Sequence, residues 1–426
     1  MKILLVNVHY EHNMSITEHY PMQSLTLRQL AAVTPKKYDL EINEDIKPKN
    51  INYNGDYDLV GISTVTPSAP YAYIIADKFK ECGKTVVLGG YHPSILPDEA
   101  KQHADSVVIG EADLLWPKLL EDFENNKLQS YYEQNEMIDL NLIPNPERER
   151  LPSYGVPVSY ATRGCPVGCQ FCSIHYNKHG NVYRKKSVEK VIEDIKSLNS
   201  KSIYLADASL TIDVEYTKRL FRELKGLNKK FLNCMGNVNV LAKDDELLKL
   251  ASEAGCILWH TGFESVSQET LNSIGKKTNK VEEYKATIKK INDYGMVLFG
   301  EFVFGFDSDT PDIFKKTEKI INKWNFLPGF QILTPYPGSP LFNKFEREGR
   351  ILTKDWEKYT TQNVVFKPKN MSETQLEEGV KYLLKNFYSY PRVFKAALKN
   401  LKFGFNKYSI VKNISYNIAK GVKSNK

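Results

Sequence analysis

Thr162-Arg-Gly-Cys-Pro-Val-Gly-Cys-Gln-Phe-Cys-Ser-Ile-His175 is the stretch on which the reading of this chain turns. It holds three of the six cysteines, Cys165, Cys169 and Cys172, at C-x3-C-x2-C spacing. With no secretion signal at the N-terminus, so tight a run reads as a metal site before it reads as disulfides. Three soft thiolates on one short loop suit an iron–sulfur cluster, and a [4Fe–4S] cube ordinarily takes four. Cys82, Cys234 and Cys256 are scattered singly, so no fourth thiolate lies nearby. One iron would then stay open to a further ligand, which is the arrangement of a cluster that does chemistry. The same residues also allow a zinc site completed by His175 or His179.

A chain of 426 residues exceeds one typical core, which predicts two domains and an appendage. A composition of 42% hydrophobic and 26% charged residues is that of a soluble globular protein. Lys2–Val8 is a short apolar run with no small-residue cleavage site, so it reads as a buried first strand. No stretch reaches the ~20 apolar residues of a membrane-spanning helix. Reduced cysteines and an oxygen-sensitive cluster point to the cytoplasm. The net charge of +7 is uneven: eleven Lys or Arg and no Asp or Glu follow Glu378, which leaves residues 1–378 at −4. Such a basic segment is a candidate for an anionic surface.

Residues 1–134 alternate strand-like and helix-like segments. Lys2–Val8, Tyr57–Ser63, Thr85–Gly89 and Ser106–Ile109 read as strands, with helical spacing over Tyr71–Cys82 and Pro97–His103. This predicts a doubly wound, Rossmann-like parallel sheet whose ligand sits at the carboxyl ends of the strands. Those ends carry Thr64 within Ser63–Ser68, then Gly89-Gly90-Tyr-His92, then Gly110-Glu111. No G-x-G-x-x-G fingerprint is present, and tight turns closing a receiver-like domain account for the same residues. Residues 135–157, rich in Pro and Gly around a charged Glu147–Arg150 run, read as a linker draped over a surface.

From Val158 to about residue 345 a second rhythm begins. Strands are expected at Val158–Thr162, Ser202–Ala206, Asn233–Val238, Leu258–Phe263, Leu298–Phe304 and Gly329–Thr334, with helices between them. Six strand–helix units predict a partial (β/α)6 barrel, and barrel chemistry gathers at the carboxyl ends of the strands. The cysteine loop follows the first of them.

The cysteine spacing, with Phe171 before the last thiol, resembles the signature of the radical S-adenosylmethionine (SAM) superfamily. Gly89-Gly-x-His92, Pro97 and Gly110-Glu111 resemble the cobalamin-binding domain fused ahead of many such enzymes. The resemblance runs from about residue 1 through residue 365, and the class includes hopanoid methylases and the magnesium-protoporphyrin ester cyclase. It implies that the open iron chelates SAM, that reduction yields a 5′-deoxyadenosyl radical, and that methylcobalamin supplies a methyl group. It further implies SAM contacts from Asp207, from Glu264 in Gly262-Phe-Glu-Ser265, and from Gly300 and Gly305, whose lack of side chains would clear room for adenine. Leu333–Pro340 would wall the substrate side, and Arg163, Arg184 and Lys185 are candidate partners for SAM or an acidic substrate group. The cobalt-ligating D-x-H-x-x-G loop is missing: the matching region after the second strand, Asn43–Lys49, has no histidine. Cobalamin is therefore expected without a histidine on its lower face, and His92 is a ligand-side candidate to touch it.

Residues 346–426 are expected to be helical. Val380, Leu383, Leu384 and Phe387 share one helical face, and Val393, Phe394, Ala397, Leu398 and Leu401 share another beyond Pro391. Interleaved with lysines, these faces suit an interfacial membrane helix, or else a helix docked on the barrel. The reading that emerges is a methyltransferase acting on an unactivated carbon of a lipid or other natural product, supplied by a flavodoxin- or ferredoxin-type electron donor. A cobalamin-dependent cyclase or rearrangement enzyme is the near alternative. A metal-bearing nucleic-acid-binding protein is the distant one, and the absence of an added cluster domain or basic β-barrel argues against it.

Overall fold

The computed structural model describes residues 1–8, 22–151, 155–394 and 415. Its first sheet comprises β1 (Lys2–Val8), β2 (Asp39–Ile46), β3 (Leu59–Ser63), β4 (Thr85–Gly89), β5 (Ser106–Ile109) and β6 (Tyr131–Glu133). The strands are parallel, in the order β2-β1-β3-β4-β5-β6. Period-two alternation in near-continuous apolar strands explains how both faces are buried. Leu4, Val6, Val60, Ile62, Val86 and Leu88 pack with Phe79 on one face, while Ile3, Leu5, Leu59 and Val87 pack with Trp116 on the other. The strands expected at residues 2–8, 85–89 and 106–109 form with those bounds. β2 extends through Asn43–Ile46, so the region taken as a loop after the second strand is partly strand. β6, only three residues long, carries no pattern that the sequence could reveal.

The second sheet runs β7 (Val158–Ser159), β10 (Ser202–Leu205), β11 (Lys230–Met235), β12 (Leu258–Glu264), β13 (Val297–Phe304) and β14 (Leu327–Ile332), adjacent in that order and parallel. β8 (Thr162–Arg163) and β9 (Arg184–Lys185) form a separate antiparallel ribbon. The first expected strand thus splits in two, and its second half closes the base of the cysteine loop.

The segment 135–151 is mostly exposed but pinned at intervals: Ile138, Leu140 and Ile143 are buried against Tyr160, and Arg148 grips both Asp194 oxygens at 3.0 and 3.1 Å. Of the charged run, Arg150 pairs with Glu147, while Glu149 is exposed. Helix Glu373–Phe387 is likewise committed: Val380, Leu383 and Leu384 belong to the core of the second sheet. Phe387 stacks near Phe330, with Arg392 over its ring. That face is therefore not available to a bilayer, whereas Phe394 is exposed. Ala397, Leu398, Leu401 and the lysines beyond them lie outside the described residues. No helix among the described residues is long and apolar enough to cross a membrane.

Candidate cluster and cofactor site

The cysteine loop, residues 164–183, is a closed structure. Ribbon β8/β9 pairs Thr162 with Lys185 and Arg163 with Arg184 at its neck. Inside, the Cys165 amide donates to the Gly180 carbonyl (2.8 Å) and the Cys172 amide to the Cys169 carbonyl (3.0 Å). The His175 ring bonds through Nδ1 to the Cys165 carbonyl at 2.9 Å. Gly164 adopts φ 84°, and a side chain there would strike the Val182 carbonyl, so only glycine lets the neck close. Phe171 packs against Phe306, anchoring the far side of the loop to the turn after β13.

Asp207, at the end of β10, holds the entry to the loop. Its Oδ1 accepts the Ala161 amide (3.0 Å), the Thr162 amide (2.6 Å) and the Thr162 hydroxyl (2.7 Å). Its Oδ2 is buried without a partner. Burial outweighs those bonds and pushes the carboxyl up to about 6. Half of the predicted SAM contact is thus spent on positioning the loop, and only Oδ2 remains for a ligand.

All three loop cysteines are free, and burial pushes the Cys169 thiol up to about 11 and the Cys165 thiol above its ordinary value. Cys165 and Cys169 each feel the charge of Cys172. Cys234 and Cys256 are buried in the barrel core, where the Cys256 thiol donates to the Leu258 carbonyl at 3.7 Å, and Cys82 is exposed on the first domain, so none of the three lies in the cysteine loop. No three His, Cys, Asp or Glu among the described residues converge on a single ion. That is the geometry zinc would need, whereas a cube spreads its thiolates over separate irons. The residues present fit a [4Fe–4S] cluster with one open iron.

Glu264 ends β12 at φ 61°, a left-handed conformation rare for a glutamate. It is braced: Asn279 Nδ2 donates to the Gly262 carbonyl at 2.8 Å, and the Tyr284 hydroxyl donates to the Phe263 carbonyl at 2.7 Å. The carboxylate folds back over Gly262, where any side chain would collide with it. Its Oε1 accepts Lys276 Nζ at 2.8 Å. A left-handed glutamate costs on the order of 1–3 kcal/mol, which these braces and the ion pair offset. Gly300 and Gly305 are not open adenine clearings. The space beside Gly300 is filled by Phe263 and Phe326, and that beside Gly305 by Leu376 and Phe366.

On the first sheet the predicted residues form a stitched rim. The Thr64 amide donates to the Gly89 carbonyl at 3.0 Å. Ser94 Oγ donates to the Gly90 carbonyl (2.7 Å) and accepts the Gly110 amide (2.9 Å). Glu111 does not wait for a cofactor: Arg184 clamps it with two 2.7 Å bonds, and Arg163 does the same to Asp113 at 2.7 and 3.1 Å. These bonds tie the first sheet to the neck of the cysteine loop, so Arg163 and Arg184 are interdomain clasps. Lys185 pairs with Asp213 instead. His92 is fully buried, with Nδ1 at 3.3 Å from Thr66 Oγ1 and Nε2 at 3.1 Å from Glu99, under Trp356. With both ring nitrogens occupied it cannot reach a cobalt.

Three features carried no local signal. Tyr91 is 44% exposed, yet it feels the charges of Cys172, Glu111 and Arg163. It therefore lies near both the first sheet's Glu111 and the cysteine loop. Lys276 lies inside the site while adjacent Lys277 faces solvent. In the barrel lumen, His260 approaches Glu301 at 3.2 Å, and Gln331 Nε2 donates to the same carboxylate at 2.8 Å.

Residues 159–319 match the model of the radical SAM superfamily. The chain is 35% identical to bacteriochlorophyllide d C-8(2)-methyltransferase of Chlorobaculum tepidum, over 82% of this chain and 81% of that one. It is 30% identical to bacteriochlorophyllide d C-12(1)-methyltransferase of the same organism, over 92% of this chain and 89% of that one. Among solved structures it resembles TsrM from Kitasatospora setae, a radical SAM methyltransferase with cobalamin and a [4Fe–4S] cluster bound. The TM-score is 0.70, covering 99% of both chains at 14% identity, which is a likeness of fold. A thiol loop suited to an open-iron cluster, the match to the radical SAM model and relatives this extensive have one common explanation: the chain belongs to the radical SAM superfamily, beside the bacteriochlorophyllide methyltransferases.

Proposed function

We propose that the protein is a C-methyltransferase that places a methyl group on an unactivated carbon of a tetrapyrrole-like or similarly apolar small molecule. The observation that carries this reading is the pair of bidentate bonds, Arg184 to Glu111 and Arg163 to Asp113, that joins the ligand edge of the first sheet to the neck of the cysteine loop. Bound there, cluster, SAM and cobalamin would supply the carbon-centred radical chemistry and the methyl group. Cys165, Cys169 and Cys172 would hold the cluster, Glu264 and the free oxygen of Asp207 would take SAM donors, and the Thr64–Gly90–Gly110 rim would bear cobalamin. The chain's own work is orientation. The Glu111–Arg184 and Asp113–Arg163 clasps fix the two ligand edges relative to each other. Glu301, bonded by Gln331 and beside His260, offers polar groups of a substrate one anchored carboxylate.

Tetrapyrroles are preferred over lipids because the bacteriochlorophyllide methyltransferases match this chain at 30% identity or more. The six free thiols support an oxygen-poor cytoplasmic setting with an external low-potential electron donor. Attachment of residues beyond 394 to an anionic membrane surface stays compatible with this reading. The test is anaerobic protein reconstituted with iron, sulfide and cobalamin, then given SAM bearing a CD3 methyl, titanium citrate and a bacteriochlorophyllide pool. Mass spectrometry should show a CD3 in place of a hydrogen on the macrocycle. A product altered without label would instead favour the cyclase-type alternative.

A further inference from the structure

Residues 351–366 have no role in the reading above, yet they form a strap that joins both halves of the candidate site. Its neck is closed by the Ile351–Phe366 bridge and by the Leu352 amide, which donates to the Val365 carbonyl at 3.0 Å. Midway, the Thr361 carbonyl accepts the Ile332 amide at the end of β14 (2.7 Å). The tip is buried: Trp356 and Tyr359 pack with Phe342 and with Leu96, which follows the loop after β4. Trp356 Nε1 donates to Glu99 at 2.9 and 3.2 Å, and the Tyr71 hydroxyl donates to Glu357. The nearer Glu99 oxygen, Oε1, also accepts the Tyr73 hydroxyl at 3.0 Å and lies 3.1 Å from Nε2 of the buried His92.

That convergence is the decisive observation. Helix Ala69–Glu81, the loop after β4 and the strap each bring one group to a single charged oxygen, and bonds to an ionised acceptor are the strong ones. The loop after β4 is also seated on the expected substrate wall: at Gly338, φ 80°, a side chain would stand 2.8 Å from Ile95. Just beyond that wall the Leu341 amide donates to the Gln170 carbonyl of the cysteine loop at 3.2 Å. We propose that Glu99 and Trp356 are positioning residues that hold residues 89–95, part of the rim expected to bear cobalamin, in register with the cysteine loop. This rests on the methyl-transfer reading given above and deepens it. The Arg163 and Arg184 clasps fasten the rim beyond β5, and the strap fastens it beyond β4, which removes rotations that one fastening leaves free. A substrate carbon activated beside the cysteine loop then stays within reach of a methyl donor on the rim. Neither residue touches the reacting atoms, and no bond, proton or electron passes through them.

The experiment measures amide hydrogen exchange in the full-length protein and then the coupling of its two products. Trp356→Phe keeps a ring in the strap but removes the donor to Glu99. It should speed exchange at residues 90–96 about tenfold, the worth of one bond to a charged acceptor, and leave β3 and β4 unchanged. Glu99→Ala should do at least as much, Glu99→Gln, which keeps an acceptor, should do less, and Lys358→Gln on the exposed side of the strap should do nothing. Anaerobic reconstituted Trp356→Phe, given SAM, titanium citrate and the bacteriochlorophyllide pool, should form about threefold more 5′-deoxyadenosine per methyl transferred, with the KM for SAM unmoved. A stability defect alone would lower both products in proportion. Unchanged exchange at residues 90–96, a rise spread evenly over both sheets, or a wild-type product ratio would overturn the proposal. If Trp356→Phe does not fold, Tyr73→Phe, which takes a donor from the same oxygen, is read in its place. Wild-type protein that transfers no methyl would instead overturn the reading beneath, and exchange at residues 90–96 would then decide the strap.

Discussion

The carboxyl edge of the first sheet is joined to the neck of the cysteine loop beside the second sheet, but the two sheets equip their edges in opposite ways. The edge of the first sheet is saturated: Thr64 bonds to Gly89, Ser94 bonds to both Gly90 and Gly110, and Glu111, Asp113 and His92 are all paired. The edge of the second keeps polar groups in reserve, including three free thiols, one oxygen of Asp207 and the Tyr183 and Tyr216 hydroxyls. A saturated rim is suited to bearing a large cofactor by shape. A rim with unspent donors and acceptors is suited to ligating and to reacting, because each buried unpaired group costs stability that only a ligand can return.

The largest effect is expected where the contrast is sharpest. Replacing Cys165, Cys169 or Cys172 with Ala should abolish cluster absorbance and 5′-deoxyadenosine formation. The same change at Cys82, Cys234 or Cys256 should leave both intact, since those thiols behave as isolated or core residues. Iron and sulfide analysis beside a product assay checks it, and loss of the cluster in Cys256→Ala would reveal a fourth thiolate and erase the open iron.

Next comes the unspent acid of the second edge. The Asp207 carboxyl is raised from 3.8 to about 6 by burial, so the folded state holds its proton longer than the unfolded chain does. Stability is then lost as pH rises from about 4 to about 6, by up to about 3 kcal/mol, and is level above that. Urea unfolding across this range should show the slope in wild type and a flatter profile in Asp207→Asn. Parallel profiles would mean that Oδ2 already has a partner.

The spent acid of the first edge should respond differently. Glu111→Gln removes a charge that Arg184 and Arg163 both use, and it should cost about 2–3 kcal/mol, less than a fully buried pair because water reaches the site. It should also uncouple the cofactors, raising 5′-deoxyadenosine made per methyl transferred. A variant with normal coupling would show that the clasp stabilises without aligning. The smallest effect on the enzyme itself belongs to the tail. Removing residues 395–426 takes away eight lysines and no acidic residue. Cluster content should not change, but co-sedimentation with anionic vesicles at low salt should be lost, each basic residue contributing on the order of 1 kcal/mol. Equal sedimentation of both forms would remove the membrane reading.

Sequence alone determined the parts of this protein whose chemistry is local. Cys165, Cys169 and Cys172 must share a site because eight residues cannot separate them. Most strands announced themselves by apolar runs, since a buried parallel strand has little other composition open to it, but β2 and the three-residue β6 did not. Gly262-Phe-Glu264 was legible only as a resemblance to a family motif; the steric reason, a carboxylate that needs the space glycine leaves, came with the structure. What only the tertiary structure decided is which charges were already spent. Glu111, Arg163 and Arg184 look alike on paper whether they hold a cofactor or each other, and their pairing spans 52 to 73 residues of chain. His92 sits in a ligand-side loop by sequence, but Thr66, Glu99 and Trp356 turn it inward. Lys276 and Lys277 are identical neighbours, yet the first pairs with Glu264 at 2.8 Å and the second stays in water. Ionic and hydrogen-bond partners act through space, so their choice appears only once the chain has folded.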